Sequence, residues 1–342
     1  MPAEWEPQAA LLIAWPHGAT DWRDSLHHIE PVYIELVRAT AAVQPVWIIC
    51  QDAIHADQVI ERLRQADVEQ DNVMPVVAAY NDTWIRDYGP ISVIHGDTPR
   101  LLDFRFNGWG GKFDARLDDR VNALLNGGGL FGNTPLVALP QILEGGSLET
   151  DGAGTLLTTC NCLLDASRNP GMQRPEWEQL FAEELGCDRV LWLANGYLAG
   201  DDTDGHIDTL ARFAGTDTIV YVACDDPDNP NYTALQAMAA ELEQCHQING
   251  AAYQLVALPS PHPMHDDQGQ PLPASYANFI IINQRVLVPL YDDPADVIVQ
   301  TVLQQVFPDR EVIGIDARAM VRQGGVLHCA SMQIPGAVIG EP

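Results

Sequence analysis

Apolar residues recur along the chain in two alternating patterns. Stretches with apolar positions three and four apart predict amphipathic helices, and short continuous apolar runs between them predict buried strands. Over residues 174–186, Trp177, Leu180, Phe181 and Leu185 form one helical stripe. A strand at 190–194, a polar loop through His206 and a hairpin turning at Gly215-Thr216-Asp217 follow. The same order is predicted four more times. Helix 118–126 leads to strand 135–139, the loop Glu144-Gly145-Gly146 and a hairpin over 147–159. Helix 56–65 leads to strand 75–79, a loop through Asp87 and a hairpin turning at Gly96-Asp97. Helix 234–246 leads to strand 254–258, a long loop and a hairpin over 278–289. Helix 294–306 leads to strand 312–315, then a loop and strand around Cys329. One helix and strand, 26–50, exceeds the repeat.

Five units of roughly 50 to 70 residues predict a repeat architecture. The leftover strand at 10–15 would pair with the C-terminal strand and close a ring, which leaves few exposed sheet edges. The expected fold class is therefore α/β, as a five-bladed pseudo-symmetric α/β propeller in a single domain over residues 1–342.

Composition narrows the function. A 46% hydrophobic fraction over 342 residues is that of a folded protein, and 18 basic against 47 acidic residues give a net charge of −29. That excess argues against nucleic acid, whose binders present a basic face, and suits the steering of a cationic ligand. No apolar run approaches the ~20 residues of a membrane span, and the first residues lack a signal-peptide pattern. Seven cysteines, an odd number, read as reduced thiols in a cytoplasmic protein. The pair Cys160-Asn161-Cys162 falls in a strand-like apolar stretch, 156–164, without a second pair at finger spacing. It reads as buried thiols, not zinc ligands.

The loops before the hairpins carry the densest polar chemistry: Asp87 after Trp84-Ile85-Arg86, Glu144, His206 with Asp208, Asn278, and Cys329. Equivalent loops of a ring converge, so these residues would share one pocket. A Cys with a His offers a thiolate nucleophile and a proton-transfer partner. His206 and Asp208, two apart, would face the same way if carried on a strand. Carboxylates beside a thiol raise its pKa, which is counterproductive unless the substrate is itself a cation. A guanidinium fits, because carboxylates accept its paired N–H donors in bidentate fashion and Trp84 could add an apolar or cation–π wall.

Longer motifs carry a resemblance. They are Met1-Pro2-Ala3-Glu4-Trp5-Glu6-Pro7, Ala14-Trp15-Pro16-His17, Trp84-Ile85-Arg86-Asp87-Tyr88-Gly89-Pro90 and Phe106-Asn107-Gly108-Trp109-Gly110-Gly111. Glu144-Gly145-Gly146-Ser147, Arg168-Asn169-Pro170, Asp202-Thr203-Asp204-Gly205-His206-Ile207-Asp208, Ser275-Tyr276-Ala277-Asn278-Phe279 and His328-Cys329 complete them. With these the chain resembles the agmatine deiminases and bacterial (Porphyromonas-type) peptidylarginine deiminases of the guanidino-modifying pentein superfamily. The resemblance implies a five-bladed α/β propeller, Cys329 as nucleophile, and His206 as general acid and base. It further implies Asp87 and Asp208 as the guanidinium grip, Glu144 as pocket support, and a substrate site that also includes Trp84 and Asn278. It implies hydrolysis of agmatine to N-carbamoylputrescine and ammonia through an S-alkylthiouronium, a step of polyamine biosynthesis, with no metal and no organic cofactor. Gln323-Gly324-Gly325-Val326-Leu327 and Ala330 to Pro335 depart from the common agmatine form, which bears on the substrate tail.

The expected partner is thus a small agmatine-like cation, with no nucleic acid and no membrane; a homo-oligomer is compatible with the sequence. Free or peptide-terminal arginine is the nearest competing substrate and needs a cation for its carboxylate. Lys112, the only lysine, and Arg105, expected near the pocket, are the candidates. The same residues are also compatible with an amidinotransferase, a silent binding scaffold, or a zinc hydrolase built on His206, Asp208 and Cys329.

Overall fold

The computed structural model describes residues 1–96 and 98–339, so Asp97 of the expected Gly96-Asp97 turn lies outside the described residues. Five sheets share one plan. In each, an antiparallel pair is extended by a strand parallel to its second member. Parallel neighbours need a crossover, and the predicted amphipathic helices provide it. The sheets comprise Ile91–His95, Thr98–Arg105 and Leu136–Ile142; Glu149–Thr150, Thr155–Thr159 and Arg189–Leu193; and Ala211–Phe213, Thr218–Ala223 and Gln254–Pro259. A fourth comprises Ile280–Ile282, Arg285–Leu290 and Glu311–Asp316. The last has four strands in the order Ser331–Pro335, Gln8–Ala14, Val46–Cys50, Val73–Val77. Its first pair joins the two ends of the chain antiparallel, with Ile13 opposite Ser331. The expected pairing of the N-terminal strand is therefore observed, two residues earlier than the pattern suggested. The sheets stay separate, and none closes on itself among the described residues.

Helices Leu26–Ala41, Ala53–Gln65, Val121–Gly127, Tyr232–Leu242 and Ala295–Val306 lie close to their predicted positions. Helix Arg174–Leu180 continues as a wider π turn over Phe181–Leu185. Its stripe packs as the spacing implies: Trp177 and Phe181 are fully buried and stack at 5.4 Å. Such burial contributes roughly 1.5–3 kcal/mol per large side chain. The segment before the hairpin over 278–289, expected as a plain loop, also contains a small ladder of Met264–His265 with Pro271–Leu272.

Two local expectations fail. The apolar stretch around Cys160 and Cys162 is strand only to Thr159, then turns into a short helix, Cys160–Leu163. His206 and Asp208 are not on a strand: Ile207–Thr209 is a 3₁₀ turn, because Thr209 N and its hydroxyl both bond back to His206 O. All seven cysteines are free. No helix among the described residues is long and apolar enough to cross a membrane.

Candidate active site

Five loops lie just before the first strand of each sheet, and they carry the predicted residues. Ile85–Tyr88 precedes Ile91; Gly145–Ser147 precedes Glu149; Ile207–Thr209 precedes Ala211; Asn278 precedes Ile280; Cys329 precedes Ser331. The structure brings Asp87, Glu144, His206, Asp208, Asn278 and Cys329 together, all buried, with Trp84 alongside.

Asp87 sits in a single helical turn closed by Gly89 N donating to Ile85 O. Its Oδ1 accepts from Gly146 N at 3.0 Å, and its Oδ2 accepts from the Trp109 indole Nε1 at 2.9 Å. Trp109 takes a left-handed backbone (φ 54°, ψ 53°), which costs a non-glycine residue on the order of 1–3 kcal/mol. That strain aims its N–H at Asp87. Glu144 opens the next loop, where Arg168 Nε donates to both its oxygens at 2.9 and 2.8 Å. The Cys162 thiol lies 3.3 Å from Glu144 Oε2, and His206 Nε2 lies 3.4 Å from the same oxygen.

His206 thus has two faces. Nε2 is turned to Glu144, while Nδ1 is 3.4 Å from Asp87 Oδ1 without a hydrogen-bond partner. Gly146 fills the gap between these groups. A Cβ on it would stand 2.6 Å from His206 Nδ1, 2.7 Å from Asp87 Oδ1 and 3.2 Å from Asp208 Oδ2, so only glycine fits. Asp208 Oδ2 accepts from His328 Nδ1 at 2.7 Å and lies 3.7 Å from Cys329 Sγ, while its Oδ1 has no protein partner. Asn278 Oδ1 accepts from the backbone N–H groups of His328 (3.0 Å) and Cys329 (3.3 Å), and its Nδ2 donates to Cys329 Sγ at 3.2 Å.

Electrostatics follow from burial and neighbours. Burial, then the charges of Asp208 and Asp87, push the Cys329 thiol well above its ordinary value. Burial opposes protonation of His206, but Asp87 foremost, with Cys162 and Glu144, holds it well above the imidazole range. Asp87 is pushed up to about 6 by burial, against the pull of His206. Burial would likewise raise Asp208 and Glu144, but His328 holds the first below the carboxylate range, and His206 with Arg168 holds the second there. The resting site therefore pairs a thiol with an imidazolium, the unproductive combination for nucleophilic attack.

A cavity of about 480 Å³ leads from Cys329 and Asp87 to the surface. Trp84, Trp109 and Phe113 line it, together with Asp21, Asp82, Asp202 and Asp266. Gly325 packs against the Trp84 ring, where a Cβ would approach within 2.5 Å. Arg322 is the one cation on the wall among the described residues, and its Nη2 is 2.5 Å from Asp267. Arg105 is not at the pocket. It ends a strand where the pairing slips, and its side chain, 62% exposed, pairs with Asp119 at 3.0 Å. Lys112 is engaged by Asp202 O and by Asp204 Oδ2 (2.8 Å).

Several contributing residues were not singled out by sequence. His328 bridges Asp208 and Glu4, its Nε2 lying 2.9 Å from Glu4 Oε2. Glu4 also pairs with Arg212, whose Nε donates to Glu149 Oε2 at 2.6 Å. This buried network pins the first residues beneath the site. Among the described residues, Glu144, Cys162 and His206 are the one group of three side chains placed to share a metal ion. The set His206, Asp208 and Cys329 is not such a group.

Comparisons with known proteins identify the family. The family model for Porphyromonas-type peptidyl-arginine deiminase matches residues 1–335. An agmatine deiminase of Ectopseudomonas mendocina is 33% identical over 360 residues, covering 98% of this chain and 95% of that protein. The structure of an agmatine deiminase of C. jejuni with substrate bound superposes with a TM-score of 0.89 at 36% identity, covering 98% of this chain and 95% of the other. An amidinotransferase from Microseira wollei, 10% identical, shares the fold alone, with a TM-score of 0.52 over 98% of this chain and 96% of the other. The α/β architecture is thus the pentein fold, and with the match spanning nearly its whole length the chain belongs to the Porphyromonas-type peptidyl-arginine deiminase family.

Proposed function

We propose that the protein is a hydrolase of C–N bonds in small guanidines, converting agmatine to N-carbamoylputrescine and ammonia. The observation that carries this reading is the meeting of Asp87, His206 and Asp208 around the missing Cβ of Gly146, next to Cys329. A guanidinium in the cavity beside Cys329 would give Asp208 Oδ1 the partner it lacks and lie against Asp87, whose carboxyl lines the same cavity, two acceptors for a planar donor. It also resolves the electrostatics, because its charge offsets the carboxylates that keep Cys329 protonated.

With the cation bound, Cys329 releases its thiol proton to solvent through the cavity, His206 being already protonated. The thiolate attacks the guanidinium carbon, positioned by Asp87 and Asp208 and by the Asn278 contact to sulfur. His206 gives its Nδ1 proton to the departing nitrogen, so the C–N bond breaks, ammonia leaves and an S-alkylthiouronium remains. Neutral His206 takes a proton from water, and the resulting hydroxide adds to the same carbon. The C–S bond breaks as the hydroxyl proton passes to the departing sulfur, which releases the ureido product and restores the Cys329 thiol. Glu144 holds His206 from behind, and Trp84 walls the methylene chain. The aspartates of the cavity wall, Asp21, Asp202 and Asp266, suit a terminal ammonium, and Arg322, the one cation among the described residues lining it, is paired with Asp267.

In this reading the five sheets are blades of one propeller domain spanning the chain, the loops converge at one end of its axis, and the enzyme works in the cytoplasm. The matching strand order of the five sheets supports the blades. Ammonia release from agmatine, arginine and an arginine-ended peptide tests the assignment: agmatine should exceed both others at least a hundredfold in kcat/KM. Preference for either carboxylate-bearing substrate would overturn it.

A further inference from the structure

Cys162 is used by no step above, yet its sulfur lies against the rear of His206. Cys162 Sγ is 3.3 Å and His206 Nε2 is 3.4 Å from one oxygen, Glu144 Oε2, and the three atoms lie within 4.8 Å of one another. In a tetrahedral zinc site, bonds of about 2.3 Å to sulfur and about 2.0 Å to nitrogen or oxygen place ligand atoms roughly 3.3–3.5 Å apart along each edge. The two contacts to Glu144 match those edges. All three side chains are fully buried, so their geometry is set by the fold and not by surface rotamers.

We propose that Glu144, Cys162 and His206 form a site for a borderline-soft divalent ion of the zinc class, which switches the enzyme off from behind the substrate pocket. Thiolate and imidazole select such an ion over magnesium or calcium, whose preference is for oxygen. Binding exchanges the thiol proton of Cys162 and the Nε2 proton of His206 for one M²⁺. The cluster's net charge is therefore unchanged beside Arg168. With Nε2 on the metal, loss of the Nδ1 proton would leave an imidazolate, so His206 can no longer cycle as acid and base. Since the ligands have no exposed surface, the ion enters only as the loops open, and inhibition should develop slowly.

The inhibition rests on the role of His206 proposed above, whereas occupancy of the site does not. Titrating Co²⁺ into the full-length protein should produce a thiolate-to-cobalt charge-transfer band that saturates at one equivalent, with Zn²⁺ bleaching it and Mg²⁺ leaving it intact. The Cys162→Ser variant should lose the band, and the Zn²⁺ concentration for half inhibition of ammonia release should rise at least tenfold. Cys329→Ser should keep the band. Absence of a band in the wild type, its persistence in Cys162→Ser, or its loss in Cys329→Ser would overturn the site. Should Cys162→Ser not fold, X-ray absorption of zinc-loaded Cys329→Ser decides: one sulfur ligand is expected, and nitrogen and oxygen alone would refute it. A normal cobalt band without inhibition would leave the metal site standing and remove His206 as the proton carrier.

Discussion

Replacing Gly146 by alanine probes the centre of the site with a single methyl group. Its carbon would lie 2.6 Å from His206 Nδ1, 2.7 Å from Asp87 Oδ1 and 3.2 Å from Asp208 Oδ2, against an ordinary carbon-to-polar contact of about 3.4 Å. Two of the groups must retreat by roughly 0.7–0.8 Å. Overpacking of this kind costs about 1–3 kcal/mol. With about 2.1 cal/mol/K of unfolding entropy per residue over 342 residues, that is a fall of only about 1.5–4 °C in Tm. Catalysis should suffer far more, because misplacing reacting groups by about 1 Å costs on the order of a hundredfold. Steady-state ammonia release from agmatine, beside a thermal melt, reads both. Gly127→Ala at a helix end, where a Cβ meets nothing within 4 Å, is the control and should change neither. A Gly146→Ala enzyme within threefold of normal kcat/KM would refute the placement of the guanidinium against Asp87, His206 and Asp208.

Trp109→Phe removes the indole donor to Asp87 and should lower kcat/KM by about 10- to 100-fold, the worth of a hydrogen bond to a charged group; unchanged kinetics would assign Trp109 to packing alone. Glu144→Gln removes the fully buried one of the two close ion pairs of Arg168, leaving Asp204 Oδ2 at 2.8 Å. It should cost about 1.5–3 kcal/mol in denaturant unfolding, whereas a loss below about 1 kcal/mol would mean that Asp204 alone satisfies Arg168. Burial pushes Asp82 up to about 7 and Asp118 up to about 8, against ordinary values near 3.8. A raised folded pKa means that the folded chain holds protons the unfolded chain has released, so stability falls as pH rises. Between about pH 5 and 7 the loss should approach 1.4 kcal/mol per unit per group, and it should level off above about pH 8. Chemical denaturation across that range should show a shallower fall for Asp118→Asn; an identical slope would clear Asp118 of the effect.

The strand order shared by five sheets and the six polar residues that the structure brings together were legible because both are written locally. Amphipathic stripes, hairpin turns and polar residues just ahead of apolar runs are features of a few neighbouring positions. His206 and Asp208 converge as expected but for a different reason: a 3₁₀ turn, which spacing alone cannot tell from a strand over three residues. Residues that position the site were less legible because long-range contacts define them. His328 meets Glu4 across 324 positions, and Arg212 reaches Glu4 across 208. Trp109 and Arg168 lie nearer their carboxylates in sequence, yet depend on a strained turn and on loop docking that no hydrophobic period records. Arg105, expected near the pocket, instead ends a strand beside a slip in pairing, and its side chain pairs with Asp119.

The covalent step is the claim from which the rest of the chemistry follows. Rapid acid quench during turnover of agmatine, with mass analysis of the peptide containing Cys329, measures it directly. A His206→Gln enzyme, slowed in activating water, offers a second chance to trap the adduct. The mechanism predicts an added mass equal to agmatine minus ammonia on Cys329, with Cys160 and Cys162 unmodified. An adduct that retains only the amidino carbon would mark a transferase, and full activity in Cys329→Ser would contradict thiol catalysis.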